Sequence, residues 1–240
     1  MLTNHIVRSY DEELQSLEAK VAEMGGHAER MIENAIAAIV HNDLALANQV
    51  ILDDAFLDES ERAIMDKAII VIAKRQPMAV DLREVIGAIR ISADLERVGD
   101  MGKNIAKRVA IISQVRQPAT FYRGLESIAH LALGQLREVL DAYASRSLER
   151  IDAVRERDGE IDTMYTLLFR ELLSYMMENI SNITACTHLL FCAKNIERIG
   201  DHATNISETL HYIITGSYLS GERPRDDHSY RVGVDAAKER

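Results

Sequence analysis

The sequence predicts an all-α fold of two tandem three-helix halves related by internal duplication, and three observations lead there. Asp94-Leu95-Glu96-Arg97-Val98-Gly99-Asp100-Met101-Gly102-Lys103-Asn104-Ile105 returns about a hundred residues later as Asn195-Ile196-Glu197-Arg198-Ile199-Gly200-Asp201-His202-Ala203-Thr204-Asn205-Ile206. Six of the twelve positions are identical, and three of the other six exchange Leu, Ile and Val or Asp and Asn. Drift keeps an apolar stripe easily, but it has no reason to keep Glu, Arg, Gly, Asp and Asn in fixed order. Composition is the second observation. At 47% hydrophobic and 5% aromatic, with no Trp, the 240 residues suit long helices better than a sandwich or barrel, which needs many turns and β-branched or aromatic runs. Third, the only prolines are Pro77, Pro118 and Pro224, and the apolar residues between them recur at helical spacing.

The elements follow in order. Leu57, Ile64, Ala68 and Ile72 form one stripe. Leu82, Ile86, Ile89, Leu95, Val98, Ile105, Val109 and Ile112 form most of another, and Ile161, Tyr165, Leu168, Leu172 and Met176 repeat the pattern later. These stripes predict helices over 8–41, 43–75 and 78–114, then 119–145, 147–178 and 182–215. The breaks at His41-Asn42-Asp43 and Ser145-Arg146-Ser147 correspond at an offset of 104, with Asp43 and Ser147 as N-caps of the helices that follow. The domains expected are 1–117 and 118–217, one three-helix repeat each, and 218–240 as a flexible tail, because Gly221-Glu222-Arg223-Pro224-Arg225-Asp226-Asp227 has no apolar period.

Charge and motif content exclude several functions. A net charge of −10 argues against a nucleic-acid backbone as partner and against adhesion to anionic lipid. The longest purely apolar run, Ala68 to Ala73, is far short of the ~20 residues of a membrane span. The N-terminal residues lead into Asp11-Glu12-Glu13 without an apolar signal core, so the expected location is cytoplasmic. Cys186 and Cys192, six apart, fit reduced structural thiols rather than a disulfide framework or metal knuckle. Glu208 and His211 make a single Glu-x-x-His without a counterpart in the first half. With no nucleophile–base arrangement, Gly-rich phosphate loop or dinucleotide fingerprint, the expectation is a protein that is not an enzyme.

The acidic pairs carry the chemistry. Glu96 and Asp100, four apart on a helix, share a face; Glu197 and Asp201 repeat the arrangement. One helix earlier, Asp54 and Asp58 form a pair that maps onto Asp158 and Asp162 at the offset of 104. Antiparallel helices would bring each aspartate pair alongside its Glu/Asp partners. Four converging carboxylates repel one another, and burying them requires protonation or a cation. Oxygen ligands suit Mg²⁺, Mn²⁺, Ca²⁺ or iron. Asn104 and Asn205, one turn further on, are candidates for a carbonyl ligand or a supporting hydrogen bond. Gly99 and Gly200 lie on the acidic face, where a missing side chain leaves room for an ion or for a neighbouring backbone. Arg97 and Arg198 point away from their glutamates, towards a salt bridge, solvent or a partner.

Two copies of Glu-Arg-[Val/Ile]-Gly-Asp-x-x-x-Asn-Ile, each closing a three-helix repeat, resemble the PhoU family across about 5–215. The resemblance implies two three-helix bundles side by side, with metal held by Glu96, Asp100, Glu197 and Asp201 and, on the preceding helices, by Asp54, Asp58, Asp158 and Asp162. It implies a negative regulator of the phosphate-starvation response and of phosphate uptake. Such a regulator is an adaptor between the ATPase subunit of the phosphate ABC transporter and the sensor histidine kinase, reaching the membrane only through those partners. It also implies a homodimer with a divalent cation (Mg, Mn or Fe). The second half has no counterpart of Pro77, and the interval from Asp162 to Asp201 is 39 residues against 42 from Asp58 to Asp100, so the two sites are expected to differ. The alternatives are a metal-dependent helical-bundle enzyme and a scaffold without metal.

Overall fold

The chain rises and falls in long helices whose ends are set by local chemistry. A computed structural model describes residues 8–114 and 117–219, and among these there is no strand. Helix α1 spans Arg8–His41, α2 Leu44–Arg75 and α3 Val80–Ala106, followed by a single turn, α4, at Val109–Ile112. The second half has α5 at Ala119–Ser145, α6 at Leu148–Glu156, α7 at Asp158–Glu178 and α8 at Ile183–Thr215, the last entered through a 3-10 turn at Ile180–Asn182. Asp43 caps α2, its carboxylate accepting from the Leu46 N–H at 2.9 Å; Ser147 caps α6 through the Arg150 N–H at 3.4 Å. Asn42 and Arg146, the equivalent residues just before these caps, both take left-handed conformations, with φ of 53° and 55°.

Two expected helices are broken. The one predicted over 78–114 begins at Val80 and stops at Ala106, a turn at Lys107-Arg108 separating it from α4. The one predicted over 147–178 is interrupted at Arg157. Asp158 and Gly159 are poor interior helix residues, yet an aspartate is favourable in a first turn. The Val154 carbonyl, which in a continuous helix serves the Asp158 N–H, accepts instead from Gln135 Nε2 at 2.8 Å. Of the expected tail, 220–240 lies outside the described residues; Tyr218 at its start is stacked on Tyr212, ring centroids 4.6 Å apart.

Helices α1, α2 and α3 form one three-helix bundle, and α5, α8 and the α6–α7 pair form the other. Their cores are continuous. Met24, Met31, Ile32, Leu57, Ile91 and Leu95 on one side and Leu125, Ile128, Leu136, Leu189 and Ile206 on the other belong to a single buried cluster. Each fully buried aliphatic side chain of this kind stabilises the fold by about 1.5–3 kcal/mol. The bundles meet along two antiparallel pairs, α3 with α8 and α1 with α5. Arg108 lies over the Phe191 ring at 4.8 Å near one end of the first pair, and a Cβ at Gly87 would strike Ile213 at the other. In the second pair, Arg137 bridges to Glu29 and Glu33, and Arg146 Nη2 reaches Glu18 at 3.5 Å and Glu84 of α3 at 3.3 Å. No helix among the described residues is long and apolar enough to cross a membrane. Both cysteines are buried and free, and burial pushes the Cys192 thiol up to about 12.

Candidate functional site

Antiparallel packing of α2 on α3 brings the first four acids into one seam. Asp54 is only 4% exposed and is paired with Lys103 Nζ across the helices. The same ammonium lies 3.7 Å from Asp100 Oδ1. Its hydrogen bond to Asp54, reinforced by the charges of Asp54, Asp100 and Asp58, holds the lysine above its ordinary pKa in spite of burial. Glu96 lies at the other end of the cluster. Burial, then the charge of Asp100 and, more weakly, those of Glu61 and Asp58, raise its carboxyl above the usual range, opposed by Arg97. Arg97 is a salt-bridge residue, within 3.4 Å of both Glu96 and Asp100. A lysine therefore sits where a cation was expected.

The second seam, between α7 and α8, is built differently. Thr204 stands where the repeat has Lys103, and its hydroxyl donates to Asp158 Oδ1 at 3.1 Å. Glu197 is 6% exposed; its Oε1 accepts from Lys194 Nζ at 2.9 Å, while its Oε2 is buried without a hydrogen-bond partner. Burial pushes the Glu197 carboxyl up to about 7; Lys194 opposes this, and the charges of Asp201 and Asp162 add to it. Lys194 approaches from the half-exposed rim, over the Tyr165 ring at 5.1 Å. A second orphan lies deeper. Gln135, 1% exposed, spends its amide nitrogen on Val154 and leaves Oε1 unpartnered.

The glycines do something other than expected. They make room for a side chain of the preceding helix, not for an ion or a backbone. A Cβ on Gly99 would lie 2.1 Å from Leu57 Cδ1. One on Gly200 would lie 2.8 Å from Ile161 Cδ1, at the position equivalent to Leu57, and 2.9 Å from Gln135 Oε1. Asn205 also turns elsewhere. It donates across the bundle interface to Asp94 Oδ1 at 3.4 Å, beside the 2.8 Å contact of His202 Nδ1 with the same oxygen. Asn104 is half-buried one turn beyond Asp100. His211 Nδ1 lies 3.0 Å from the Ser217 carbonyl, so the lone Glu-x-x-His serves the end of α8.

Sequence reasoning missed Lys103, Gln135, Lys194 and the Asp94–His202 contact. Two of them left a signal. Lys103 faces Thr204 in the aligned repeats, and Gln135 faces Met31 at the offset of 104.

As the side chains are set, no three His, Cys, Asp or Glu among the described residues form a ready ligand set. The buried oxygens therefore decide the fit to a cation. The second seam fits, since Glu197 Oε2 and Gln135 Oε1 are desolvated acceptors with no donor. The first seam already holds a positive group on Asp54.

A family model described as the PhoU domain matches the chain twice, over 21–109 and 125–210. The chain belongs to the PhoU family. Each PhoU match covers one copy of the Glu-Arg-x-Gly-Asp motif and its aspartate pair. The chain is 61% identical to the phosphate-specific transport system accessory protein PhoU homolog of Rhizobium meliloti (strain 1021), over 95% of this chain and 97% of the relative. It is 37% identical to the phosphate-specific transport system accessory protein PhoU of Escherichia coli (strain K12), covering 90% and 89%. The crystal structure of PhoU from Pseudomonas aeruginosa superimposes with a TM-score of 0.81 at 31% identity, covering 87% of this chain and all of that one. Its all-helical architecture of two tandem repeats is that of the PhoU structures.

Proposed function

We propose that this protein is an accessory regulator of phosphate-specific transport, acting from the cytoplasm as a negative regulator of phosphate uptake and of the phosphate-starvation response. The observation that carries this reading is near-full-length similarity, at 61% identity, to a protein named as such an accessory component. The finer reading is an adaptor, working as a homodimer, between the ATPase subunit of the phosphate ABC transporter and the sensor histidine kinase. Continuous burial across both bundles supports a rigid body rather than two hinged ones.

A divalent cation in the acidic seams belongs to the same proposal. Bound there, it would supply positive charge to the carboxylates of Glu197, Asp201, Asp158 and Asp162 and, in the first half, of Glu96, Asp100, Asp54 and Asp58. The protein's own residues do the rest: Leu57 and Ile161 lock each seam over its glycine, and Thr204 orients Asp158. A metal-free scaffold is the second reading, favoured in the first half by Lys103 on Asp54.

The test is a deletion strain carrying a phosphate-responsive reporter. Loss of the gene should leave the reporter active at high phosphate, and complementation should silence it; normal repression in the deletion strain overturns the regulator reading. Alanine at Glu96, Asp100, Glu197 and Asp201 together should lower metal content and weaken repression. If neither changed, the cation would have no part in the function.

A further inference from the structure

The interface between the bundles opens into a cavity of about 410 Å³ along the α3–α8 pair. Arg90, Ala93, Asp94 and Arg97 form its α3 wall, a stripe at helical spacing with only a methyl near its centre. Asn205, Glu208 and Thr209 form the α8 wall. The volume lies within the range of small-molecule sites, roughly 300–1,000 Å³. Antiparallel packing sets the order of these groups: Asn205 meets Asp94 at 3.4 Å, and Thr209 and Ile213 lie against Gly87. Tyr218 borders the far end, stacked on Tyr212 one turn beyond Glu208. Along its length the cavity therefore presents Tyr218, then Glu208 level with Arg90, then Arg97.

The fold does not consume these side chains. Arg90 is exposed and has no carboxylate partner among the described residues. Arg97 is 60% exposed, and its contacts with Glu96 and Asp100 are both 3.4 Å, longer than the about 2.7–2.9 Å of a strong charge-assisted pair. Asp94 is engaged, its Oδ1 facing both His202 and Asn205. Glu208 has neither a hydrogen bond nor an ion pair among the described residues. Tyr218 offers a largely exposed ring, held by Tyr212 at 4.6 Å with 12° between the planes. In the aligned repeats Phe191 and Arg108 take the places of Arg90 and Thr209, and there the guanidinium lies over the ring at 4.8 Å. That stretch of the pair supplies its cation with an aromatic partner from within the chain; the stretch around Arg90 does not.

We propose that this cavity is a nucleotide-binding site, with the base on Tyr218, the ribose hydroxyls donating to Glu208 and the phosphates between Arg90 and Arg97. The two arginines are two helical turns apart, about 10 Å along α3, so an extended polyphosphate engages both at once. The guanidinium fork matches phosphate oxygens, and an aromatic ring stacks on any base. A free carboxylate accepts from a sugar hydroxyl, as the acidic residue of dinucleotide-binding folds does. A bare anion would use the arginines and leave Tyr218 and Glu208 idle. The cavity lies apart from the aspartate pairs of α2 and α7, and it requires no cation there.

The experiment is isothermal titration calorimetry of the full-length protein with ADP, adenosine and inorganic pyrophosphate, with chelator present so that a cation in the seams plays no part. ADP should bind in the micromolar range, at about one per chain, and adenosine and pyrophosphate each at least about tenfold more weakly. Arg90→Gln should weaken ADP and pyrophosphate alike by about tenfold. Tyr218→Ala should weaken ADP by about the same factor and leave pyrophosphate unchanged. Arg198→Gln, at the exposed counterpart of Arg97, should change neither. Amide exchange on the wild type should slow along α3 and α8 when ADP is added. Pyrophosphate binding as tightly as ADP, or ADP binding that ignores both Arg90→Gln and Tyr218→Ala, overturns the nucleotide site. So does the absence of ADP binding up to millimolar concentration. Protection by ADP confined to other helices overturns it as well, and that measurement needs no variant to fold.

Discussion

Gly99→Ala separates two forces that usually travel together. In a helix interior alanine is favoured over glycine by about 1 kcal/mol, so propensity alone makes this substitution stabilising. Packing opposes it. The new methyl would sit 2.1 Å from Leu57 Cδ1, where carbon atoms are at ease near 3.5–4 Å, and Leu57 is completely buried. Overpacking of this kind costs about 1–3 kcal/mol, enough to cancel or reverse the propensity gain. Gly134 in α5 is the internal control, because nothing lies within 4 Å of where its Cβ would be. Gly134→Ala should stabilise the protein by about 0.5–1 kcal/mol. Since the propensity gain is common to both, the difference between the two variants reports the packing alone, about 1–3 kcal/mol. Urea unfolding followed by far-ultraviolet circular dichroism measures it. In a Leu57→Ala background the clash is gone, and Gly99→Ala should become stabilising, like its control. Gly99→Ala stabilising as much as Gly134→Ala, or an effect that Leu57→Ala leaves unchanged, would show that Leu57 does not fill this space.

Three further outcomes follow from the described contacts. Glu197 has a folded-state pKa of about 7, raised chiefly by burial above the 4.5 expected of it unfolded, so the folded protein binds the extra proton between those values. Stability should therefore fall as pH rises through that window, by about 3 kcal/mol, and level off above it. With chelator present, Glu197→Gln should match the wild type near pH 4.5 and exceed it at pH 8; a difference independent of pH would contradict the assignment. Asp43→Ala removes the acceptor of the Leu46 N–H and should cost about 1 kcal/mol in urea unfolding, whereas a change at the exposed neighbour His41 should cost little. Asp94→Ala leaves His202 and Asn205 without their shared acceptor and should cost about 1–3 kcal/mol, with faster amide exchange along α3 and α8; unchanged exchange there would show that the contact does not tie the bundles together.

The helical class, the duplication, both N-caps and the convergence of the acidic pairs could all be read in the residues, because each depends on spacing along one helix or on a local cap. What escaped depends on neighbours in space. The stripe containing Ile161, Tyr165 and Leu168 continues the helical period from Ile151 and Val154, so nothing in it announces the break at Arg157. That break is accompanied by Gln135, nineteen residues before Val154, which takes the freed Val154 carbonyl. Gly99 and Gly200 lie on the acidic face, and periodicity cannot tell whether the space above them belongs to an ion or to Leu57 and Ile161. Lys103 was visible as a mismatch between the repeats, but only the antiparallel register of α2 on α3 sets it against Asp54.

The antiparallel pairing of α3 with α8 and of α1 with α5 relates the halves much as two subunits of a symmetric dimer are related. A true homodimer would be bound by that symmetry: a lysine in one seam would be a lysine in both. Joining the repeats in one polypeptide lifts the constraint. Lys103 and Thr204, Met31 and Gln135, and an unbroken α2 beside a divided α6–α7 are differences that a homodimer of one repeat could not hold within a shared frame. Fusion thus gives the molecule two distinguishable ends, and a partner meeting it can tell one from the other.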